Sequence, residues 1–157
     1  VVHFRRAVPW KVSLQAREHL PSPHLSPQPR YVIAVAVLEH ASAAMDVSDG
    51  LAGDLTKLCA VSGVAGTVEV AKVPLSDAAR GAFATEPSLI ETILAGGDDY
   101  EILCTVTPDK IEGFRAAAKS VNVPLTEIGT VSEGEGVRFL DAERKQMTLS
   151  RLSYSHF

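Results

Sequence analysis

The hydrophobic pattern of this chain becomes regular only after residue 30. Prolines at positions 21, 23, 27 and 29 interrupt the preceding segment and are incompatible with regular helix or strand. The same segment is basic, and its charged residues include Arg5, Arg6, Lys11, Arg17 and Arg30. We therefore predict an irregular basic arm over residues 1–30 and one folded domain over residues 31–157.

Helix and strand patterns alternate in the first half of the predicted domain. Residues 31–38 are apolar, and although periodicity alone does not separate helix from strand there, a short helix is favoured. Residues 43–48 are predicted to form a strand. A helix should follow, because the next apolar residues recur at the spacing of one helical face: Leu51, Leu55, Leu58 and Cys59. Gly63 is expected to end this helix.

The second half of the domain contributes most of a sheet. Strand character is found in residues 67–73, 100–106, 126–131, 137–140 and 147–149. Helices are predicted at residues 87–94 and after Thr107-Pro108, the latter with an inner face of Ile111, Phe114, Ala118 and Val121. The strand at 100–106 is apolar on both faces, which is typical of the middle of a sheet, and the last three strands suggest an antiparallel meander. The order of elements favours a mixed sheet with helices packed on it, an α/β or α+β domain.

Composition narrows the classes of function. The net charge of −4 gives no overall attraction to nucleic acid or to anionic lipid. The longest apolar run is far shorter than the roughly 20 residues of a membrane-spanning helix, and no export signal is evident. Cys59 and Cys104 lie in apolar stretches without metal-binding spacing, so they are read as small buried hydrophobes. These features favour a cytoplasmic protein that binds neither nucleic acid nor membrane.

The stretch from Met45 to Leu51 crosses from the predicted strand into the predicted helix. Asp46 and Ser48 share one face of the strand, and Asp49 lies at the helix start. A helix N-terminus attracts phosphate, whereas carboxylates beside it repel phosphate, and Mg²⁺ resolves this conflict by binding both. The alternative is that Ser48 or Asp49 caps the helix. Asp54, further along, is read as a solvated residue or as an i,i+3 partner of Lys57.

A second acidic stretch, Gly96-Gly-Asp-Asp-Tyr-Glu, precedes the strand at 100–106. Its glycines allow close approach to a ligand, and Asp98 and Asp99 are further candidate ligands, although the same residues also suit a solvated turn. Two acidic turns joined to strands of one sheet could face a single cleft, as phosphoryl transfer requires. No Gly-x-x-x-x-Gly-Lys-[Ser/Thr] loop occurs in the sequence, which excludes a Walker-type nucleotide site.

Four stretches together resemble, in the same order, the thiamine-monophosphate kinase family. They are Asp46-Val-Ser-Asp-Gly-Leu, Val73-Pro-Leu-Ser, Gly96-Gly-Asp-Asp-Tyr-Glu and Ser153-Tyr-Ser-His-Phe. The resemblance covers residues 27–157. It implies the C-terminal domain of the AIR synthase-like superfamily, a three-layer α/β/α unit with partly ferredoxin-like topology.

The resemblance also implies a reaction and a set of residues. The family transfers the γ-phosphate of ATP to thiamine monophosphate, giving thiamine diphosphate, with several Mg²⁺ ions. By resemblance, Asp46 and Asp49 would ligate Mg²⁺ and Ser48 would contact ATP. Asp98 and Asp99 would lie at the thiamine phosphate. Tyr154, which from the residues alone belongs to a tail packed on the surface, would contact the thiamine ring system, as an aromatic face against a cation can.

Part of such an enzyme is absent from this sequence. The family has an N-terminal domain that bears a further acidic motif, much of the ATP site and the main interface of a homodimer. We therefore expect the isolated chain to fold, to bind Mg²⁺-nucleotide weakly and to lack kinase activity. Two alternatives are kept: another ATP-dependent enzyme domain of the superfamily, and a non-catalytic domain that binds partners through a face the absent domain would cover.

Overall fold

The computed structural model describes residues 31–96 and 101–153. The predicted arm over residues 1–30 lies outside the described residues, so the boundary at residue 30 stays a prediction. Within the described residues no helix is long and apolar enough to cross a membrane.

Five α-helices and six strands form the described part of the chain. In chain order they are α1 (Ala34–His40, preceded by a 3-10 turn at Tyr31–Ile33), β1 (Ala41–Val47), α2 (Leu51–Ser62), β2 (Val64–Glu69, followed by a 3-10 turn at Val70–Lys72), α3 (Asp77–Thr85), α4 (Leu89–Leu94), β3 (Glu101–Val106), α5 (Ile111–Ser120), β4 (Gly129–Glu133), β5 (Val137–Leu140) and β6 (Gln146–Met147).

The first half of the domain follows the sequence pattern closely. The helix favoured at residues 31–38 is confirmed as a 3-10 turn that runs into α1, and the strand at 43–48 is confirmed as β1. The helix α2 ends where expected, because Gly63 adopts the left-handed conformation with φ 65°. The strand predicted at 67–73 was misplaced: β2 begins at Val64 and gives way to a 3-10 turn after Glu69.

The helix α3 was not anticipated from the sequence. Its N-terminus is capped by Ser76, whose hydroxyl oxygen accepts the N–H of Ala79 at 3.1 Å. The residues that it buries are Ala78 and Ala82. Alanines give little contrast in a hydrophobic pattern, and this explains the omission.

In the part of the chain that the structure describes, the strands form two separate sheets, and β3 is not the middle of either. It pairs antiparallel with β1, and within the described residues this makes a two-stranded sheet. Its apolar character has another cause: Leu103 packs in one hydrophobic core, whereas Cys104 and Val106 pack against a second core. Within residues 31–96 and 101–153, the strand therefore contacts a core on each face but pairs with another strand along one edge only.

The second sheet is mixed and has the order β4-β2-β5-β6. The strand β2 lies between β4 and β5, antiparallel to the first and parallel to the second. The predicted meander of the last three strands is therefore wrong for β4 and β5, and only β5 and β6 pair as sequential antiparallel neighbours. Local turn chemistry could not reveal this insertion, because β2 precedes β4 by about half of the domain.

Two hydrophobic cores hold helices on opposite sides of the β1–β3 pair. The larger core contains residues of α2, α4 and both sheets, among them Val47, Leu55, Leu58, Val68, Leu94, Leu103 and Phe139. The smaller core joins α1 to α5 through Ile33, Ala36, Phe114 and Ala118. The mixed α/β class is confirmed by this arrangement. Val121, predicted on the inner face of α5, is instead 39% exposed, because the helix ends at Ser120.

One side of α1 and its leading turn is apolar and exposed. The residues of this α1 apolar face are Tyr31, Val32, Val35 and Leu38, with exposures between 65% and 85%. They recur at helical spacing, so they form a continuous stripe. Such a stripe is unusual on the surface of a monomeric domain.

Candidate active-site loop

The acidic loop, residues 46–50, connects β1 to α2 at the edge of the larger core. Asp46 is exposed at the end of β1 and lies opposite Ile102 of β3. Ser48 is half-buried, and the side chain of Asp49 is 51% exposed. The loop therefore presents two carboxylates to solvent where the strand turns into the helix, as the sequence predicted.

The N-cap position of α2 belongs to Gly50. Its φ of 111° lies in a region that L side chains rarely adopt, and its carbonyl accepts the N–H of Asp54 at 2.9 Å. Neither Ser48 nor Asp49 occupies the N-cap, contrary to the capping alternative. Asp49, with its carboxylate, lies one residue before the N-cap, and Ser48, with its hydroxyl, lies two residues before it.

Asp54 fixes the backbone of the acidic loop from within α2. Its side chain is only 1% exposed, and its Oδ2 accepts the N–H groups of both Ser48 and Asp49 at 2.9 Å. The prediction of an i,i+3 contact with Lys57 is confirmed at 3.1 Å, but the solvated interpretation of Asp54 is wrong. Sequence reasoning missed the backbone role, and the signal that could have found it is a carboxylate placed next to Leu55 on the buried face of α2.

Lys57 joins the buried and the exposed carboxylate. Its Nζ donates to Asp49 Oδ2 at 2.6 Å and to Asp54 Oδ1 at 3.1 Å. The hydrogen bond to Asp49, followed by that to Asp54, raises the pKa of Lys57 above its ordinary value. The ammonium therefore remains charged at neutral pH and partly offsets the acidity of the loop.

The acidic loop touches the start of the second acidic stretch. A Cβ on Gly50 would lie 2.7 Å from the carbonyl carbon of Ala95 and 2.8 Å from the carbonyl oxygen of Gly96. At the other end of that stretch, Glu101 pairs with Val47 in the β1–β3 ladder. Asp98 and Asp99 themselves lie outside the described residues, but the residues on both sides of residues 97–100 adjoin the acidic loop.

The C-terminal segment also reaches this region. A Cβ on Gly53 would lie 2.7 Å from Ser153 Cβ and 3.0 Å from the carbonyl oxygen of Leu152, so the segment crosses the first turn of α2. Glu91 of α4 anchors the same segment by accepting the N–H of Ser150 at 3.2 Å and its hydroxyl at 2.7 Å. Tyr154 follows Ser153 directly and lies outside the described residues.

The donor type of the acidic loop suits a magnesium ion that is shared with other ligands. Among residues 31–96 and 101–153, no group of three or more His, Cys, Asp or Glu side chains forms a complete metal site. Asp46 and Asp49 nevertheless supply hard carboxylate oxygens in an open position. Mg²⁺ is commonly held by one or two carboxylates, with water and substrate phosphates completing the octahedron.

Comparison with known families identifies the class of this domain. Residues 6–141 match the family described as AIR synthase related protein, C-terminal domain. The chain belongs to this family. The matched range starts at residue 6, within the segment predicted from the sequence to be an arm.

Comparison with individual proteins shows which members of the family this chain is similar to. The thiamine-monophosphate kinase of Caulobacter vibrioides is 40% identical over 133 residues, which are 83% of this chain and 38% of that protein. The crystal structure of thiamine-monophosphate kinase from Stenotrophomonas maltophilia K279a matches 80% of this chain and 40% of its own, with 36% identity and a TM-score of 0.74. A structure of AaThiL complexed with AMPPCP and TMP matches 94% of this chain and 44% of its own, with 30% identity and a TM-score of 0.73.

More distant structures share the fold alone. The hydrogenase maturation protein HypE of E. coli has a TM-score of 0.64 at 20% identity, over 80% of this chain. The chain spans about two fifths of the length of the relatives it matches, 38% in the Caulobacter vibrioides protein and 44% in AaThiL.

Proposed function

We propose that this chain is the C-terminal part of a thiamine-monophosphate kinase, which transfers the γ-phosphate of ATP to thiamine monophosphate. The observation that carries the proposal is the convergence of three stretches on the N-terminus of α2: the acidic loop, the residues flanking positions 97–100, and the segment that leads to Tyr154. The same stretches carry the sequence resemblance. The binding of AMPPCP, an ATP analogue, and TMP by AaThiL supports the choice of substrates.

Each group of the acidic loop has a role in the proposal. Asp46 and Asp49 would hold Mg²⁺, which when bound neutralises phosphate charge during transfer. Ser48 would contact ATP through its hydroxyl, because its N–H is already donated to Asp54. The backbone of Ser48 and Asp49 is fixed before any ligand arrives, which lowers the cost of ordering the loop on binding.

The remaining site residues belong to the proposal as well. Asp98 and Asp99 would lie at the thiamine phosphate, and Tyr154 would place its ring against the cationic thiazolium. The rest of the longer enzyme would supply further metal ligands, much of the ATP site and a homodimer interface. A cytoplasmic location accords with ATP as co-substrate and with Cys59 and Cys104 as free thiols.

The proposal is tested by restoring the missing part. The portion of the Caulobacter vibrioides kinase that precedes the matched region is fused to this chain, and thiamine diphosphate formation is measured with ATP and Mg²⁺. We expect the fusion to be active and Asp49→Asn to lower its turnover by about 100-fold or more, the scale of losing a pre-organised electrostatic contact. Asp141→Asn, in an exposed turn away from the loop, should leave turnover unchanged.

Two results would count against this function. A folded fusion that forms no thiamine diphosphate, beside an active parent enzyme, would contradict the substrate assignment. An active fusion that tolerates Asp49→Asn would contradict the role of the loop. For the 157-residue chain alone we expect no measurable turnover.

A non-catalytic binding domain is the second candidate, and the α1 apolar face favours it. The two candidates differ in ligand binding. A kinase fragment should bind Mg²⁺-nucleotide, and that binding should weaken in Asp49→Asn. A pure docking domain should show no such dependence on the acidic loop.

A further inference from the structure

Lys57 offsets part of the negative charge of the acidic loop. Three carboxylates, those of Asp46, Asp49 and Asp54, occur within nine residues, and Lys57 contacts two of them. We propose that Lys57 is a positioning residue that competes with Mg²⁺ for the Asp49 carboxylate, so that Lys57 lowers the affinity of the loop for metal. This inference rests on the proposed metal role of Asp49.

The Lys57–Asp49 contact is suited to exchange. Nζ and Oδ2 are 2.6 Å apart, yet the two side chains are 53% and 51% exposed. Ion pairs open to water are weak, because solvent competes for both charges. A divalent cation brings twice the charge of the ammonium to the same oxygen and can displace it.

Because of the Lys57–Asp54 contact, this exchange should change the stability of the fold little. Asp54 is 1% exposed and keeps its two backbone hydrogen bonds whether or not Asp49 is released. When Asp49 turns to a metal ion, the ammonium still has Asp54 at 3.1 Å, so neither the buried carboxylate nor the lysine loses its only partner of opposite charge. The loop backbone stays in place while one side-chain contact is replaced.

The test measures metal binding by the 157-residue chain, with Mn²⁺ as a spectroscopic substitute for Mg²⁺. Free Mn²⁺ is followed by electron paramagnetic resonance, and Mg²⁺ binding is followed by competition. We expect Lys57→Met to bind Mn²⁺ about two- to fivefold more tightly than the parent chain, the range that loss of a competing exposed ion pair allows. Lys57→Arg keeps the charge and should stay near the parent.

Lys72→Met is the matched control. Lys72 pairs with Glu69 at 2.9 Å after β2, so the substitution removes the same charge and a similar i,i+3 pair outside the acidic loop. Its Mn²⁺ affinity should equal that of the parent chain. If both lysine variants gain affinity equally, the effect is one of net charge and the inference is overturned. Unchanged or weaker binding by Lys57→Met overturns it too.

A second measurement needs no substitution in the lysine. Amine acetylation of the unaltered chain is read by mass spectrometry with and without saturating Mg²⁺, and Lys57 should become more reactive relative to Lys72 when metal binds. An unchanged ratio of Lys57 to Lys72 acetylation speaks against displacement.

Asp49→Asn distinguishes failure of the proposed metal role of Asp49 from failure of the inference about Lys57. If it leaves Mn²⁺ binding intact, or if the parent chain and Lys57→Met bind no Mn²⁺, the proposed metal role fails together with the inference. If Asp49→Asn weakens Mn²⁺ binding but Lys57→Met and Lys72→Met bind Mn²⁺ with equal affinity, only the inference about Lys57 fails.

Discussion

Asp54 supports the acidic loop although it lies on the following helix. Replacing it with asparagine leaves one carbonyl oxygen for the N–H groups of Ser48 and Asp49 but turns an amide donor towards Lys57. We expect Asp54→Asn to lower the free energy of unfolding by about 1–3 kcal/mol, because a buried polar network loses acceptors. Urea denaturation followed by circular dichroism measures this loss.

Asp141 provides the comparison for this substitution. Its Oδ1 also accepts two backbone N–H groups, those of Glu143 and Lys145, but in an exposed turn. Water can replace a lost hydrogen-bond partner there, so Asp141→Asn should lower the free energy of unfolding less than Asp54→Asn does. Equal costs for the two variants would show that burial of Asp54 does not matter to the loop.

Single residues of the candidate site were predictable where their role depends on neighbours in sequence. Asp46, Ser48 and Asp49 could be placed at a strand-to-helix crossing, because alternation and helical spacing change there. The backbone contacts of Asp54 could not be, since they depend on how the chain turns at Gly50, whose φ of 111° lies in a region that favours glycine. The ligand roles assigned to Asp46, Ser48 and Asp49 stay predictions, as do those of Asp98, Asp99 and Tyr154, which lie outside the described residues.

At the scale of elements, the contact between α4 and the C-terminal segment should respond to acid. Ser150 donates its hydroxyl and its N–H to Glu91, and these bonds hold the pKa of Glu91 below its ordinary value. Because the folded-state pKa is depressed, the stabilisation is complete above the unfolded-state value and is lost as the pH falls through the folded-state value. The amide resonance of Ser150 should therefore shift with a midpoint below the ordinary pKa of glutamate.

Glu91→Gln tests the assignment of that titration. In this variant the Ser150 resonance should stay constant over the same acidic range. The amide of Val123, which donates to the carbonyl of Ala118 at 3.0 Å, should remain constant in both proteins. A Ser150 resonance that still titrates in Glu91→Gln would assign the transition to another group.

The elements that sequence reasoning recovered are those with strong local signals. The helix α2 combines a leucine stripe with a terminal glycine, and both features depend only on residues near in sequence. The fully buried residues of α3 are alanines, with Phe83 partly buried against the larger core, and β2 runs into a 3-10 turn through residues that favour strands. At the end of β2, packing of Val70 in the larger core, rather than local preference, decides the boundary.

At the scale of the whole molecule, the α1 apolar face should promote self-association of the isolated chain. Leu38 and Val61 are each 85% exposed, but only Leu38 belongs to a stripe of exposed apolar residues on one helix. We expect Leu38→Gln to lower the weight-average mass in sedimentation at high concentration, and Val61→Gln to leave it unchanged. An equal effect of both substitutions, or none, would show that the stripe has no special role.

The class of the fold was predictable, but its strand order was not. Alternating helices and strands implied a mixed α/β domain, and this holds. The insertion of β2 between β4 and β5 depends on contacts between distant parts of the chain, as does the pairing of β1 with β3. Apolar residues on both faces of β3 reported burial correctly, but burial by helices and burial within a sheet leave the same pattern.

The close approach of Ser153 to Gly53 has a practical consequence for work on this protein. Phe157 is the fourth residue after Ser153, and a fully extended stretch of that length reaches at most about 14 Å. Any purification tag joined after Phe157 would therefore start within that distance of Ser153, which contacts the first turn of α2. Affinity handles should therefore not be joined directly to Phe157.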